Sequence, residues 1–280
     1  MNKNIFIIFF LIILITILFY LINNIIIKYE KFENNENIEN IENIESKEIP
    51  KIIWQTYKTK DLPKDADNAH KTWIDKNPGY TVNLYDDNDI ENHIKTYWGE
   101  DMMEFYKALP IGVMKADLWR YLVIEKNGGV YTDIDSECIL PINNWENINS
   151  KTDMLLIGLE NNEDFCQWTF MSTPNHPCMT FVCNYLLNNW KKNGINKNDK
   201  NYVHFTTGPS IWRKAISEYL GYSGLKSGEI FDLYNQKDKE EINNKGVYIL
   251  SKDYFENIYS KNLYGSQFFG DGYVKWIDQI

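Results

Sequence analysis

The chain opens on an almost unbroken apolar run, NIFIIFFLIILITILFYLI from Asn4, which stops at Asn23 and Asn24. A helix of about 20 apolar residues spans the roughly 30 Å hydrocarbon layer of a bilayer. No polar face interrupts the run, as one would on a helix packed into a soluble core. A secretory leader has a shorter apolar stretch and a small-residue cleavage site, and no Ala-x-Ala pattern follows. Residues 1–29 are therefore expected to form a membrane signal anchor. Lys3 precedes the run and Lys28 and Lys31 follow it, so positive charge does not select an orientation.

From Glu30 to Glu48 the pattern inverts: EKFENNENIENIENIESKE repeats Asn-Ile-Glu and almost lacks aromatics. Such a segment buries too little apolar surface to offset the entropy of ordering it. Residues 30–48 read as a flexible acidic stem, with a short polar helix as the alternative.

A globular domain over 49–280 then begins abruptly at IPKIIWQT. Ile52 and Ile53 predict a short buried strand that closes on Trp54, Gln55 and Thr56. A helix is expected over Lys64–Asn77, a strand over Thr81–Asp87 and another helix toward Trp98. Ile111, Met114, Leu118, Leu122 and Val123 keep helical spacing through IGVMKADLWRYLVIEK, and the following Asn-Gly-Gly is a helix stop. Further strands are predicted at Asp153–Leu159, near Thr169–Ser172 and at GVYILS. This alternation implies an α/β fold, a mostly parallel sheet flanked by helices on both faces. Ligands of such sheets bind beyond the carboxyl ends of the strands.

Bulk properties narrow the chemistry. With 280 residues, 44% hydrophobic and 15% aromatic, the chain can build a substantial core. A net charge of −10 argues against nucleic acid, whose phosphates must be met by Lys and Arg. An anionic small molecule remains compatible if a metal ion supplies positive charge. Cys138, Cys166, Cys178 and Cys183 show no Cys-x-x-Cys spacing, and His70, His93, His176 and His204 are scattered, so neither type suggests a zinc cluster.

The chemically pointed stretch is GGVYTDIDSE, Gly128–Glu137. Strand alternation would put Tyr131, Asp133 and Asp135 on one face. Two carboxylates at a strand's end repel unless a cation joins them, and hard oxygen ligands suit Mg2+ or Mn2+ with diphosphate oxygens completing the shell. On the preceding helix Asp117 and Arg120 stand three residues apart, which is either an ordinary intrahelical ion pair or part of the same site.

Together IPKIIWQT, KADLWRYLVIEKNGGVYTDIDSE and TGPSIWRK resemble the D-x-D sugar-binding glycosyltransferases of family 32. That group includes fungal Golgi initiating α-1,6-mannosyltransferases, inositolphosphoceramide mannosyltransferases and capsular polysaccharide enzymes. The resemblance runs from about Ile49 to the C-terminus. It implies a GT-A fold, a Mn2+- or Mg2+-bound GDP- or UDP-sugar donor, a glycan or glycolipid acceptor, and retention of anomeric configuration. A more distant resemblance to the large clostridial glucosylating toxins carries roles to single residues. Trp54 would stack on the nucleobase, and Asp117 and Arg120 would read donor-sugar and ribose hydroxyls. Tyr131 and Asp133 would lie near ribose and sugar, and Asp135 would ligate the metal with help from Asp133.

The tail departs from the family pattern. It reads KNLYGSQFFGDGYVKW: Gln267 stands where Trp is usual and Asn262 where a histidine is expected. Asn262 is then a substitute metal ligand, Ser266 a phosphate or metal contact and Phe268 an aromatic lid, against the alternative of a glycine-rich surface loop. Glu160 and Asn161, ending a predicted strand, are candidates for acceptor contact or for stabilising oxocarbenium charge, against a solvated acidic loop. HFTTGPSIW resembles a loop on the acceptor side, although Gly208-Pro209 is also plain turn chemistry.

Two rival functions remain in view. A phosphatase-type hydrolase would use Asp133 as nucleophile, but such enzymes carry D-x-D on their first strand. A membrane-tethered, inactive sugar-nucleotide or glycan binder would explain the altered tail. As for location, a Golgi or ER type II protein in a eukaryotic host is expected, otherwise a bacterial or viral membrane-associated one. No Asn-x-Ser/Thr sequon occurs, which weighs against a glycosylated lumenal domain.

Overall fold

The structure is a computed structural model that describes residues 48–145, 153–160, 164–222, 224, 229 and 239–263. The expected anchor, all but the last residue of the stem, Asn161 and the tail with Gly265, Ser266, Gln267 and Phe268 lie outside the described residues. Among the described residues no helix is long and apolar enough to cross a membrane.

In chain order β1 (Ile52–Thr56) leads to α1 (Lys64–Lys76), β2 (Thr81–Tyr85), α2 (Asp87–Tyr97) and α3 (Gly99–Ala108). Next come α4 (Gly112–Asn127), β3 (Gly129–Thr132), β4 (Ser136–Cys138), β5 (Leu155–Glu160), β6 (Asp164–Phe165) and β7 (Thr169–Ser172). The remainder is α5 (Pro177–Asn193), α6 (Tyr202–Thr206), α7 (Pro209–Leu220), α8 (Lys239–Asn244), β8 (Val247–Leu250) and β9 (Ser260–Asn262).

The main sheet runs β2-β1-β3-β7-β5, with β6 on the end of β5 and β8 along it. β1 pairs parallel with β2 and β3, and β5 pairs parallel with β8, while β7 and β6 run against their neighbours. The sheet is mostly parallel, as the alternation of elements predicts. Asp86, read as the end of a strand, instead caps α2: its carboxylate accepts from Asn88 N and Asp89 N, and Asp89 reaches back to Asp86 N.

Strand alternation sorts the core into two halves. Trp54, Tyr131, Leu155, Ile157 and Phe170 face one side and pack against residues of α2 to α7. Ile53, Val130, Leu156 and Met171 face the other, against Trp73 of α1, Trp145 and Phe255. Helices thus cover both faces, unequally. The central helix α4 is not amphipathic: every residue from Asp117 to Glu125 is buried, because α4 lies between the sheet and other helices.

Gly128 ends α4, its N–H bonded to Ile124 O at 2.9 Å and its φ at +64°. At Gly129, φ is +95°, and a β-carbon would sit 2.5 Å from Ile52 O. Only glycine admits both the backbone angle and the close approach of β1. The two glycines therefore turn the chain from α4 directly into the central strand β3.

Candidate functional site

β3 stops at Thr132 because the next residues turn. Ser136 N and Ser136 Oγ both donate to Asp133 O, at 3.1 and 2.6 Å. Thr132 Oγ1 shares hydrogen bonds with Ser136 Oγ and, at 2.9 Å, with Thr169 Oγ1. Asp133 N donates to Trp168 O at 2.8 Å, which ties the turn to the loop before β7. The expectation of one strand face carrying Tyr131, Asp133 and Asp135 holds only for the first two. Asp135 sits in the turn, where strand alternation no longer applies.

The two aspartates are unequal. Asp133 Oδ1 accepts from Tyr131 Oη at 2.6 Å and from Arg120 Nη2 at 3.0 Å. Asp135 has no ion-pair partner among the described residues. Burial, and then the neighbouring Asp133, push its carboxyl up to about 7. Asp133 is also raised by burial, against the pull of Arg120 and the Tyr131 hydrogen bond.

Arg120 joins Asp133 to Asp117 rather than to Asp135. Its Nη1 lies 2.9 Å from Asp117 Oδ1, its Nη2 3.0 Å from Asp133 Oδ1, and its guanidinium carbon 5.0 Å from the Tyr131 ring centre. Arg120 is 3% exposed and Asp117 1%. Burial opposes the arginine's charge, but Asp133, Tyr131 and Asp117 hold it protonated. Burial lifts Asp117 to about 6, even with Arg120 and Thr207 favouring the anion. This is not a surface helix pair: it is a buried brace behind Asp133.

Three polar residues that the sequence did not single out complete that brace. Gln167 Nε2 donates to Asp117 Oδ1 at 3.3 Å, and Thr207 Oγ1 donates to Asp117 Oδ2 at 3.2 Å. The Tyr121 hydroxyl lies 2.7 Å from Gln167 Oε1 and 3.0 Å from Thr207 O, so both carbonyls share its proton. The only available signal was Thr207's place in HFTTGPSIW, and its target 90 residues away was not readable from that motif. Gly208-Pro209 does open α7 as plain turn chemistry predicts.

Trp54 is 5% exposed; its indole N–H donates to Gly128 O at 2.8 Å, and its ring packs edge-on against Tyr85 and Trp119. It is a core residue of this structure. Glu160, at the end of β5, is raised to about 7 by burial and by Asp164, Glu256 and Asp133. Asn262 stands opposite Ser136 in the β4–β9 pair, and Leu263 N donates to Asp135 O at 2.9 Å. The structure therefore brings Asn262 beside the Asp135 turn, although the two are far apart in sequence.

The donor set is hard: Asp135, Asp133 and Asn262 offer oxygens, and Asp117, Asp133 and Asp135 outnumber the single Arg120. That chemistry fits Mg2+ or Mn2+. No cluster of three or more His, Cys, Asp or Glu able to hold a metal gathers among the described residues.

Residues 63–153, which include Asp117, Arg120, Tyr131, Asp133 and Asp135, match the family model described as a glycosyltransferase sugar-binding region containing a DXD motif. The chain is 32% identical over 218 residues to the initiation-specific alpha-1,6-mannosyltransferase of Candida albicans, covering 66% of this chain and 56% of that one. It is 31% identical over 197 residues to the protein of the same name in Schizosaccharomyces pombe, covering 62% and 50%. The chain thus spans about half the length of these relatives. Among solved structures, the PaToxG glycosyltransferase superposes with a TM-score of 0.51 at 16% identity, over 71% of this chain and 79% of that one, a likeness of fold.

Proposed function

We propose that this chain, with its DXD sugar-binding segment, is a metal-dependent, retaining glycosyltransferase of GT-A type. It would move a hexose, mannose or another, from a GDP- or UDP-linked donor to a glycan or glycolipid acceptor. The observation that carries the reading is the unequal aspartate pair at the end of β3. Asp133 Oδ1 is bound by Arg120 and Tyr131, whereas Asp135 has no ion-pair partner among the described residues and its carboxyl is pushed up to about 7 by burial and Asp133. Mannosyl transfer is supported by the relatives' names, and the membrane setting by the apolar N-terminal run, as an anchor in the Golgi or ER of a eukaryotic host or in a bacterial or viral membrane system.

Asp135 and Asp133 would hold a Mn2+ or Mg2+ ion, with Asn262 beside them. When bound, the ion supplies positive charge to the diphosphate that departs as the glycosidic bond breaks. The chain's own work is orientation. Arg120 and Tyr131 fix Asp133 Oδ1, so the second carboxylate oxygen, which takes no hydrogen bond among the described residues, is the one that would meet the donor. Glu160, with its carboxyl near 7, can exchange a proton with an acceptor hydroxyl close to neutral pH.

The test is nucleotide release by the full-length chain with Mn2+ across a panel of UDP- and GDP-sugars, with Asp135→Ala as control. Release from one donor, lost in the variant, is expected and names the donor. Donor binding without release, even with acceptors added, would favour the inactive binder. No metal-dependent donor binding at all would remove the reading.

A further inference from the structure

Gln167 lies in the loop between β6 and β7, and Thr207 in the link between α6 and α7. Each sends a donor to Asp117, Gln167 to Oδ1 and Thr207 to Oδ2. With Arg120 Nη1, three donors from three separate parts of the chain meet one carboxylate that is 1% exposed. A buried carboxylate with several donors is held both ionised and fixed in direction. Its direction sets that of Arg120, because the guanidinium is planar and its two outer nitrogens cannot turn independently. Nη1 on Asp117 places Nη2 on Asp133. Neither Gln167 nor Thr207 bonds to Asp133 itself among the described hydrogen bonds.

We infer that Gln167 and Thr207 are positioning residues for the donor site, acting through Asp117 and Arg120 to aim the Asp133 carboxylate. The inference rests on the glycosyltransferase reading above. It assigns the Thr-Thr-Gly-Pro segment to the donor side: Thr207 reaches Asp117 directly, while Gly208 and Pro209 only start α7. Tyr121 of α4 links the two loops through its hydroxyl.

The experiment compares full-length wild type with Thr207→Val, Thr207→Ser, Gln167→Leu, Asp117→Asn and the pair Asp117→Asn/Thr207→Val. The readouts are kcat and KM for nucleotide release together with Tm. Thr207→Val keeps shape and removes the donor, and Gln167→Leu does the same at Oδ1. Each should lower kcat at least about tenfold, as losing a hydrogen bond to a charged group does. Thr207→Ser should restore most of that loss. In the Asp117→Asn background Thr207→Val should cost little more, because both act through one carboxylate. An unchanged kcat in Thr207→Val and Gln167→Leu overturns the inference, as does a fully additive loss in the double variant. If wild type releases no nucleotide from any donor, the functional reading falls and a crystal structure of Gln167→Leu/Thr207→Val decides the positioning. Displacement of Asp133 Oδ1 from Arg120 supports it, and an unmoved carboxylate overturns it.

Discussion

Replacing Arg120 by Met keeps the length and much of the volume of the side chain but removes the charge that two acids share. Asp117 and Arg120 have side chains only 2% and 3% exposed, and Asp133 25%, so water replaces little of what is lost. Breaking a buried ion pair from one side costs about 3–5 kcal/mol, because the partner charge stays buried. For a domain of this size about 2–4 °C of Tm accompanies each kcal/mol, so the melting temperature should fall by roughly 6–20 °C. The loss should also depend on pH with a definite sign. Arg120 lowers the pKa of both Asp117 and Asp133. Without it both carboxyls rise further, and an acid whose folded pKa is raised destabilises the fold above that pKa and ceases to do so once protonated. The penalty should be full near pH 8 and shrink toward pH 5. Thermal melts of wild type, Arg120→Met and Arg120→Met/Asp117→Asn across that range supply the test, and the double variant should recover part of the loss. A penalty that is the same at pH 5 and pH 8 would show that packing, rather than charge, is what Arg120 contributes.

Gly129→Ala should cost about 3 kcal/mol or more, since its β-carbon would meet Ile52 O at 2.5 Å on a backbone with φ of +95°; denaturant melts would show it, and a neutral result would contradict the approach of β1. His176 caps α5, accepting from Cys178 N, and burial lowers its pKa from 6.5 to about 4. Its contribution is present above 6.5 and lost as pH falls toward 4, up to about 3 kcal/mol. His176→Asn, which can still cap, should flatten that acid limb of a stability-versus-pH curve. Asp86→Ala removes a reciprocal cap and should cost about 1 kcal/mol with turnover unchanged, read as a small drop in Tm.

Some of this architecture was legible before any coordinates. β1, α1, α4 and β8 follow from apolar spacing and from punctuation by proline and glycine. α5 did not: PCMTFVCNYLLNNWKKN is rich in Asn and carries two Cys, and its cap is a histidine. β4 and β9 are three residues each and exist through their pairing with one another, which local pattern cannot report. At the site, Asp133 and Asp135 were found by type and spacing, yet their inequality was not. It depends on a turn that begins at Asp133 and on a guanidinium delivered from α4. Asp117 and Arg120 were seen as a pair, but helical spacing alone is silent on burial, and burial is what changes a surface pair into a brace. Gln167 carries no local signature, and Thr207 only its place in HFTTGPSIW, since their meaning comes from a shared partner on another element.

The continuous burial of α4 from Asp117 to Glu125 has a consequence for how variants would look in a cell. Asp117 and Arg120 belong to the same rigid segment as Leu118, Leu122 and Val123, whose role is to hold the two layers together. Changes on either kind of position would first reduce the amount of folded protein in the cell, through quality control and degradation. A genetic screen scoring product alone would mark the whole segment as indispensable. Only dividing product by protein abundance would separate the residues that aim Asp133 from those that keep the domain intact.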